Sequence, residues 1–155
     1  TQFIPEYGKL LDPKERKSTL AFAKAYIAFK EKQYNTIEPM LETVSGNVAF
    51  KIRVNCLVIK TRYELMDWEG LHRKLKSFNK FLKENQEISD TMIVSNANFI
   101  KMIRKLARLE ENYKYKLSSK VLIELQKIED DINMDYGNKV WVNIKFNALK
   151  RKLKI

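Results

Sequence analysis

Displacing the sequence against itself by 34 residues brings its apolar positions into coincidence. Phe3 falls on Ile37 and Leu71, Tyr7 on Leu41 and Leu75, and Leu10 on Val44 and Phe78. Pro5 falls on Pro39, Phe29 on Tyr63, and Tyr34 on Trp68. Matched prolines and a matched aromatic pair are harder to obtain by chance than matched leucines. A fixed period of this size marks stacked helical units, because one helix pair cannot bury both of its apolar faces alone.

The local signals agree with helices. Only 4 Gly and 3 Pro occur in 155 residues, too few for a turn-rich β protein, while Lys, Glu, Leu, Ile and Ala are abundant. Asp12-Pro13 reads as an N-cap followed by proline in the first helical turn, and the helix it opens is expected to end near Lys32. A short second helix is expected over 35–44, with Pro39 tolerated near its start. Ser45-Gly46-Asn47 breaks the chain before a third helix over 48–65. On a fourth, over 67–84, Trp68, Leu71, Leu75, Phe78 and Leu82 recur at helical spacing. A fifth is expected over 89–110 and a sixth over 117–133. The segment 140–153 is ambiguous: Val140, Val142, Ile144 and Phe146 alternate like a strand, whereas Trp141, Ile144, Ala148 and Leu149 also suit a helix. The basic end of that segment and the lack of a partner strand favour helix.

A 34-residue period, two antiparallel helices per unit and an aromatic at the turn within each unit (Gln33-Tyr34, Asp67-Trp68) resemble tetratricopeptide repeats. The run Ala21-Phe22-Ala23-Lys24-Ala25-Tyr26-Ile27-Ala28-Phe29 and the stretch from Val58 to Leu65 resemble uncharacterised bacterial proteins with degenerate repeats of this kind. The resemblance covers roughly residues 1–110. It implies an all-α fold, an α-α superhelix of about three to four antiparallel helix pairs: about seven helices plus a truncated N-terminal one. Residues 1–11 would be the second helix of a truncated repeat, 12–46 and 47–86 two repeats, and 87–155 divergent C-terminal helices or a cap, all in a single helical-repeat domain. There are departures. Ile59 stands where the family usually has a small residue, and beyond Phe78 the period fails, with Lys105 and Asn112 in apolar slots. The absence of an initiator Met and the mid-repeat start suggest a fragment of a longer chain, with upstream repeats as natural neighbours of Phe3, Tyr7 and Leu10.

Nothing in the sequence carries a catalytic motif. Cys56, in an apolar run, and His72, between Leu71 and Arg73, are the single residues of their types. They suit a structural role better than catalysis, and no catalytic residue is expected. They also cannot make a standard zinc site. The four glycines are isolated, so no phosphate loop is present, and no cofactor or metal is expected. The acidic cluster Glu129-Asp130-Asp131 lacks the spacing of a calcium loop and reads as a solvated helix face.

Net charge is +11. Such a balance suits an anionic partner, or simply a soluble surface. Basic residues concentrate in stripes: Arg73, Lys76, Lys80 and Lys83 on the fourth helix, and Lys101, Arg104, Lys105 and Arg108 on the fifth. A nucleic-acid-binding module using these faces is the alternative function, although few aromatics sit among them for base stacking.

In solenoids of the resembled family, the first helix of each pair lines the ligand-facing side. That implies a peptide groove at Tyr26, Lys30, Arg53, Lys60 and Tyr63, an aromatic and basic set suited to an acidic or extended peptide. The leading expectation is therefore a non-enzymatic scaffold with a protein or peptide partner. With no apolar run of membrane-spanning length and no signal peptide, no membrane partner and a cytoplasmic location are expected.

Overall fold

A computed structural model describes residues 13–113 and 116–155, apart from the side chain at position 14. The described residues are all-α, with seven helices and no strand. They are α1 (Pro13–Lys30), α2 (Ile37–Leu41), α3 (Val48–Glu64), α4 (Trp68–Glu84), α5 (Asp90–Asn112), α6 (Ser119–Asp131) and α7 (Lys139–Lys152), with a 3-10 turn at Tyr34–Thr36. The proposed truncated helix, with Phe3, Tyr7 and Leu10, lies outside the described residues. The chain divides into two compact units, Thr1–Lys74 and Leu75–Ile155.

In the first unit, α2 folds back on α1. The Ser45 amide donates to the buried Ser18 hydroxyl at 2.9 Å, which ties the end of α2 to the start of α1. The second helix is shorter than the expected 35–44. Pro39 offers no N–H to the carbonyl four residues back, so the entry tightens into the 3-10 turn and α-helix begins only at Ile37. Asn47 then caps α3, its side-chain oxygen accepting from the Phe50 amide at 2.9 Å. α1 and α3 run parallel, because Phe22 meets Phe50 and Phe29 meets Lys60. From Cys56 to Thr61 every residue of α3 is buried, so that stretch is enclosed on all sides rather than on one face. Thr61 satisfies its hydroxyl within the helix by donating to the Leu57 carbonyl at 2.8 Å.

The 34-residue period has a structural counterpart at two helix ends. At the end of α1, the Lys32 amide donates to the Phe29 carbonyl and the Gln33 amide to the Ala28 carbonyl. At the end of α3, Met66 donates to Tyr63 and Asp67 to Arg62 in the same pattern. Both are Schellman closures with a left-handed residue, Lys32 at φ 61° and Met66 at φ 54°. Each is clasped by an edge-to-face aromatic pair: Phe29 with Tyr34 at 5.4 Å, and Tyr63 with Trp68 at 5.5 Å. Ala25 and Ile59, also 34 apart, are both fully buried, as are Ile37 and Leu71.

In the second unit, α5 packs against α6 and α7. α6 runs antiparallel to α5, since Arg108 reaches Glu124 while Lys101 reaches Asp131. α7 runs parallel to α5, since Asn98 donates to the Asp135 carbonyl and Lys152 meets Glu110. Ser89 and Ser118 cap α5 and α6 by accepting from the amides three residues on. The terminal segment is a helix. Val142, Phe146, Leu149 and Leu153 are buried at helical spacing, while Val140 and Ile144, which a strand would have placed with them, are exposed.

Candidate functional site

The five residues expected to line a groove divide into two groups. Tyr26, Lys30 and Arg53 are on the surface, and Tyr26 is 43% exposed with the Lys30 ammonium 5.4 Å from its ring centre. Lys60 and Tyr63 are in the core, at 8% and 4% exposure. Tyr63 belongs to the aromatic clasp at the end of α3. Lys60 holds its ammonium over the Phe29 ring at 5.2 Å. Burial pushes its pKa down; the neighbouring Cys56 thiol opposes that, and the Lys30 charge adds to it. Tyr26 and Lys30 on α1 and Arg53 on α3 are thus the exposed members of the set, and Phe22 of α1 meets Phe50 of α3, both half-buried.

A polar junction that the sequence did not suggest braces the far end of α3. The Arg62 guanidinium donates to both carboxylate oxygens of Glu38, at 2.7 and 2.9 Å, and to the Gly70 carbonyl at 2.7 Å. One side chain thus links α2, α3 and the first turn of α4 through a fork geometry that lysine lacks. Gly70 is also where α4 is capped, its amide donating to the Asp67 carboxylate at 3.0 Å. The only hint in the sequence was a Glu and an Arg separated by 24 positions, which no local rule connects.

The two basic stripes differ. Arg73, Lys76, Lys80 and Lys83 on α4 are all exposed, and their ion pairs are within the helix, Arg73 with Glu69 and Lys80 with Glu84. On α5, by contrast, three of the four cations pair with carboxylates of α6. Lys101 and Lys105 converge on Asp131 of α6, Lys105 also donates to the Lys127 carbonyl at 2.7 Å, and Arg108 lies 4.0 Å from Glu124. Hydrogen bonds from the two lysines hold the Asp131 carboxyl below its ordinary range. A hydrogen bond from Lys127 does the same for Glu124.

Asp131 departs from the reading of the acidic cluster as a solvated face: it is half-buried and turned towards α5, whereas Glu129 and Asp130 are exposed, Glu129 pairing with Lys150 of α7. The sequence carried a hint in Lys105 standing in an apolar slot, since a carboxylate close by favours a half-buried lysine.

Cys56 is buried on α3 and His72 exposed on α4. Among the described residues no group of three or more His, Cys, Asp or Glu is placed to hold a metal, and no helix is long and apolar enough to cross a membrane. The chain matches no protein-family model, no curated protein and no solved structure.

Proposed function

We propose that this chain is a non-enzymatic helical-repeat scaffold of the tetratricopeptide type, engaging a protein or peptide through the α1–α3 seam. The observation that carries the reading is the repeated corner. The same Schellman closure, left-handed residue and aromatic clasp recur 34 residues apart, at Lys32 and Met66. The same closure ends α7 at Lys154 without an aromatic clasp, so it is the clasp recurring at the 34-residue interval that supports a repeated helix pair. The exposed Tyr26, Lys30 and Arg53 supply an amphipathic ring and two cations on neighbouring parallel helices, a set suited to an extended acidic segment. The reading includes a cytoplasmic setting, where a lone thiol such as Cys56 stays reduced.

The test is affinity capture of partners with the wild-type chain and with a Tyr26→Ala, Arg53→Glu double variant. A partner retained by the first and lost by the second supports the scaffold. Identical recoveries from both would sink it.

The exposed stripe on α4 supports a second reading, electrostatic nucleic-acid binding. The α5 stripe supports it less, because Lys101, Lys105 and Arg108 are engaged with α6. Titration with duplex DNA and single-stranded RNA decides it. Binding that weakens steeply with salt and with Lys76→Gln, Lys80→Gln and Lys83→Gln favours this reading, and no binding at low salt ends it.

A further inference from the structure

Outside the seam, the most unusual surface of the molecule is the outer face of α7. Val140 is 76% exposed and Ile144, one turn on, 54%. Arg151 follows on the same face, opposite the buried row Val142, Phe146, Leu149 and Leu153. Trp141 is half-buried at the edge of this face, with the Lys145 ammonium 5.7 Å from its ring centre. From residue 139 to 155 there are six Lys or Arg and no Asp or Glu. Glu129 of α6 and Glu110 of α5 pair with Lys150 and Lys152 on the two flanks of the helix. The outer face thus carries the β-branched Val140 and Ile144 with the Arg151 cation, the indole of Trp141 lies at its edge, and residues 139–155 contain no carboxylate side chain.

We infer that the outer face of α7 docks on an anionic lipid surface, Val140 and Ile144 entering the headgroup boundary while Arg151 and Lys154 face the phosphates. The chemistry selects this occupant over two others. A nucleic acid would be met by cations, and two exposed aliphatic side chains at the centre of the face add nothing to phosphate contact. A second copy of the chain would bring Arg151 and Lys154 against the same cations of its partner, and their repulsion opposes association. A bilayer with acidic headgroups uses both halves of the surface: aliphatic groups and an indole suit the interface, and each nearby Lys or Arg adds electrostatic attraction. Such a contact is peripheral and needs no spanning helix. It departs from the expectation of no membrane partner, which rested on the lack of a span. It does not rest on the repeat in the first unit, so either proposal can fail without the other.

The experiment is sedimentation of the 155-residue chain with vesicles of phosphatidylcholine alone and of phosphatidylcholine carrying roughly 30% phosphatidylserine. Binding is expected only to the second, and salt should reverse it. Each of Arg151→Gln and Lys154→Gln is expected to weaken binding about fivefold. The Val140→Ser, Ile144→Ser pair is expected to weaken it about tenfold or more while leaving the helical circular dichroism unchanged. In a Trp68→Phe background Trp141 is the single indole, and its emission should shift to the blue on the anionic vesicles alone. Failure to bind, equal binding to both vesicles, or binding indifferent to the Val140 and Ile144 changes would each overturn the inference. So would a chain that self-associates through this face in the absence of lipid.

Discussion

Lys32 and Met66 lie 34 residues apart and hold the same left-handed backbone, at φ 61° and 54°, each closing a helix through the same pair of hydrogen bonds. An L-residue with a side chain pays a steric penalty in this region that glycine does not. Lys32→Gly and Met66→Gly are each expected to raise unfolding free energy by about 0.5–1 kcal/mol, glycine's extra unfolded-state entropy having been subtracted. Urea denaturation at constant slope measures this. A loss of stability in both variants would mean that the side chains contribute more than the backbone strain removes.

The aromatic clasps should behave alike. Tyr63 is almost fully enclosed, so Tyr63→Ala is expected to cost about 3–5 kcal/mol. Double-mutant cycles between Phe29 and Tyr34, and between Tyr63 and Trp68, should each return a favourable coupling of about 0.5–1.5 kcal/mol. Couplings of opposite sign would show that the two corners are alike in geometry only.

Lys60 is a charged group whose burial disfavours its charge. Its pKa is lowered in the folded chain, so the unfolded state binds its proton more tightly. The resulting penalty is complete below the folded pKa and fades as pH rises from there towards the ordinary lysine value of 10.5. Lys60→Met, which keeps the length and removes the charge, is expected to stabilise the fold at neutral pH by on the order of 1 kcal/mol. That advantage should shrink in alkali. A gain that persists unchanged at high pH would assign it to packing instead.

The acid limb of stability should depend on Asp131. Its folded pKa lies below the ordinary carboxyl value of 3.8, so its contribution is complete above that value and is lost as pH falls through the folded pKa. Asp131→Asn is expected to cost about 1–2 kcal/mol at neutral pH, because Lys105 is left half-buried beside a neutral amide. The same change should flatten the pH dependence below pH 4. An unaltered acid limb would move the dependence to Glu124, whose carboxyl is also depressed.

The helices were legible because their signals are local. Asn47 and Ser89 cap where a short polar residue precedes an apolar run, and the stripe on α4 is continuous from Trp68 to Leu82, whereas Ser118, the cap of α6, falls inside the helix expected over 117–133. The α7 segment was harder because Val140 and Ile144 satisfy a strand pattern while serving no core, and an exposed aliphatic residue misleads any rule that equates apolar with buried. Among groove positions, Tyr26, Lys30 and Arg53 stood where a surface was expected, but Lys60 and Tyr63 did not. A lysine reads as exposed from composition, and only the enclosure of α3 on every side turns it inward. The Arg62 junction and the Asp131 ion pairs join residues more than 20 positions apart, beyond the reach of helical periodicity.

The clasped corners also bear on the order of events when the chain folds. Phe29 and Tyr34, like Tyr63 and Trp68, are five positions apart, so each ring pair closes across the shortest of loops. Such corners can form before distant helices meet, at little cost in chain entropy, and folds rich in local contacts reach their native state in microseconds to milliseconds. Substitutions at Tyr63 and Trp68 should therefore slow folding nearly as much as they destabilise the fold, with φ-values approaching one, whereas Asp131→Asn should act chiefly on unfolding. Stopped-flow chevrons for the three variants would reveal whether the repeated unit is also the unit of nucleation.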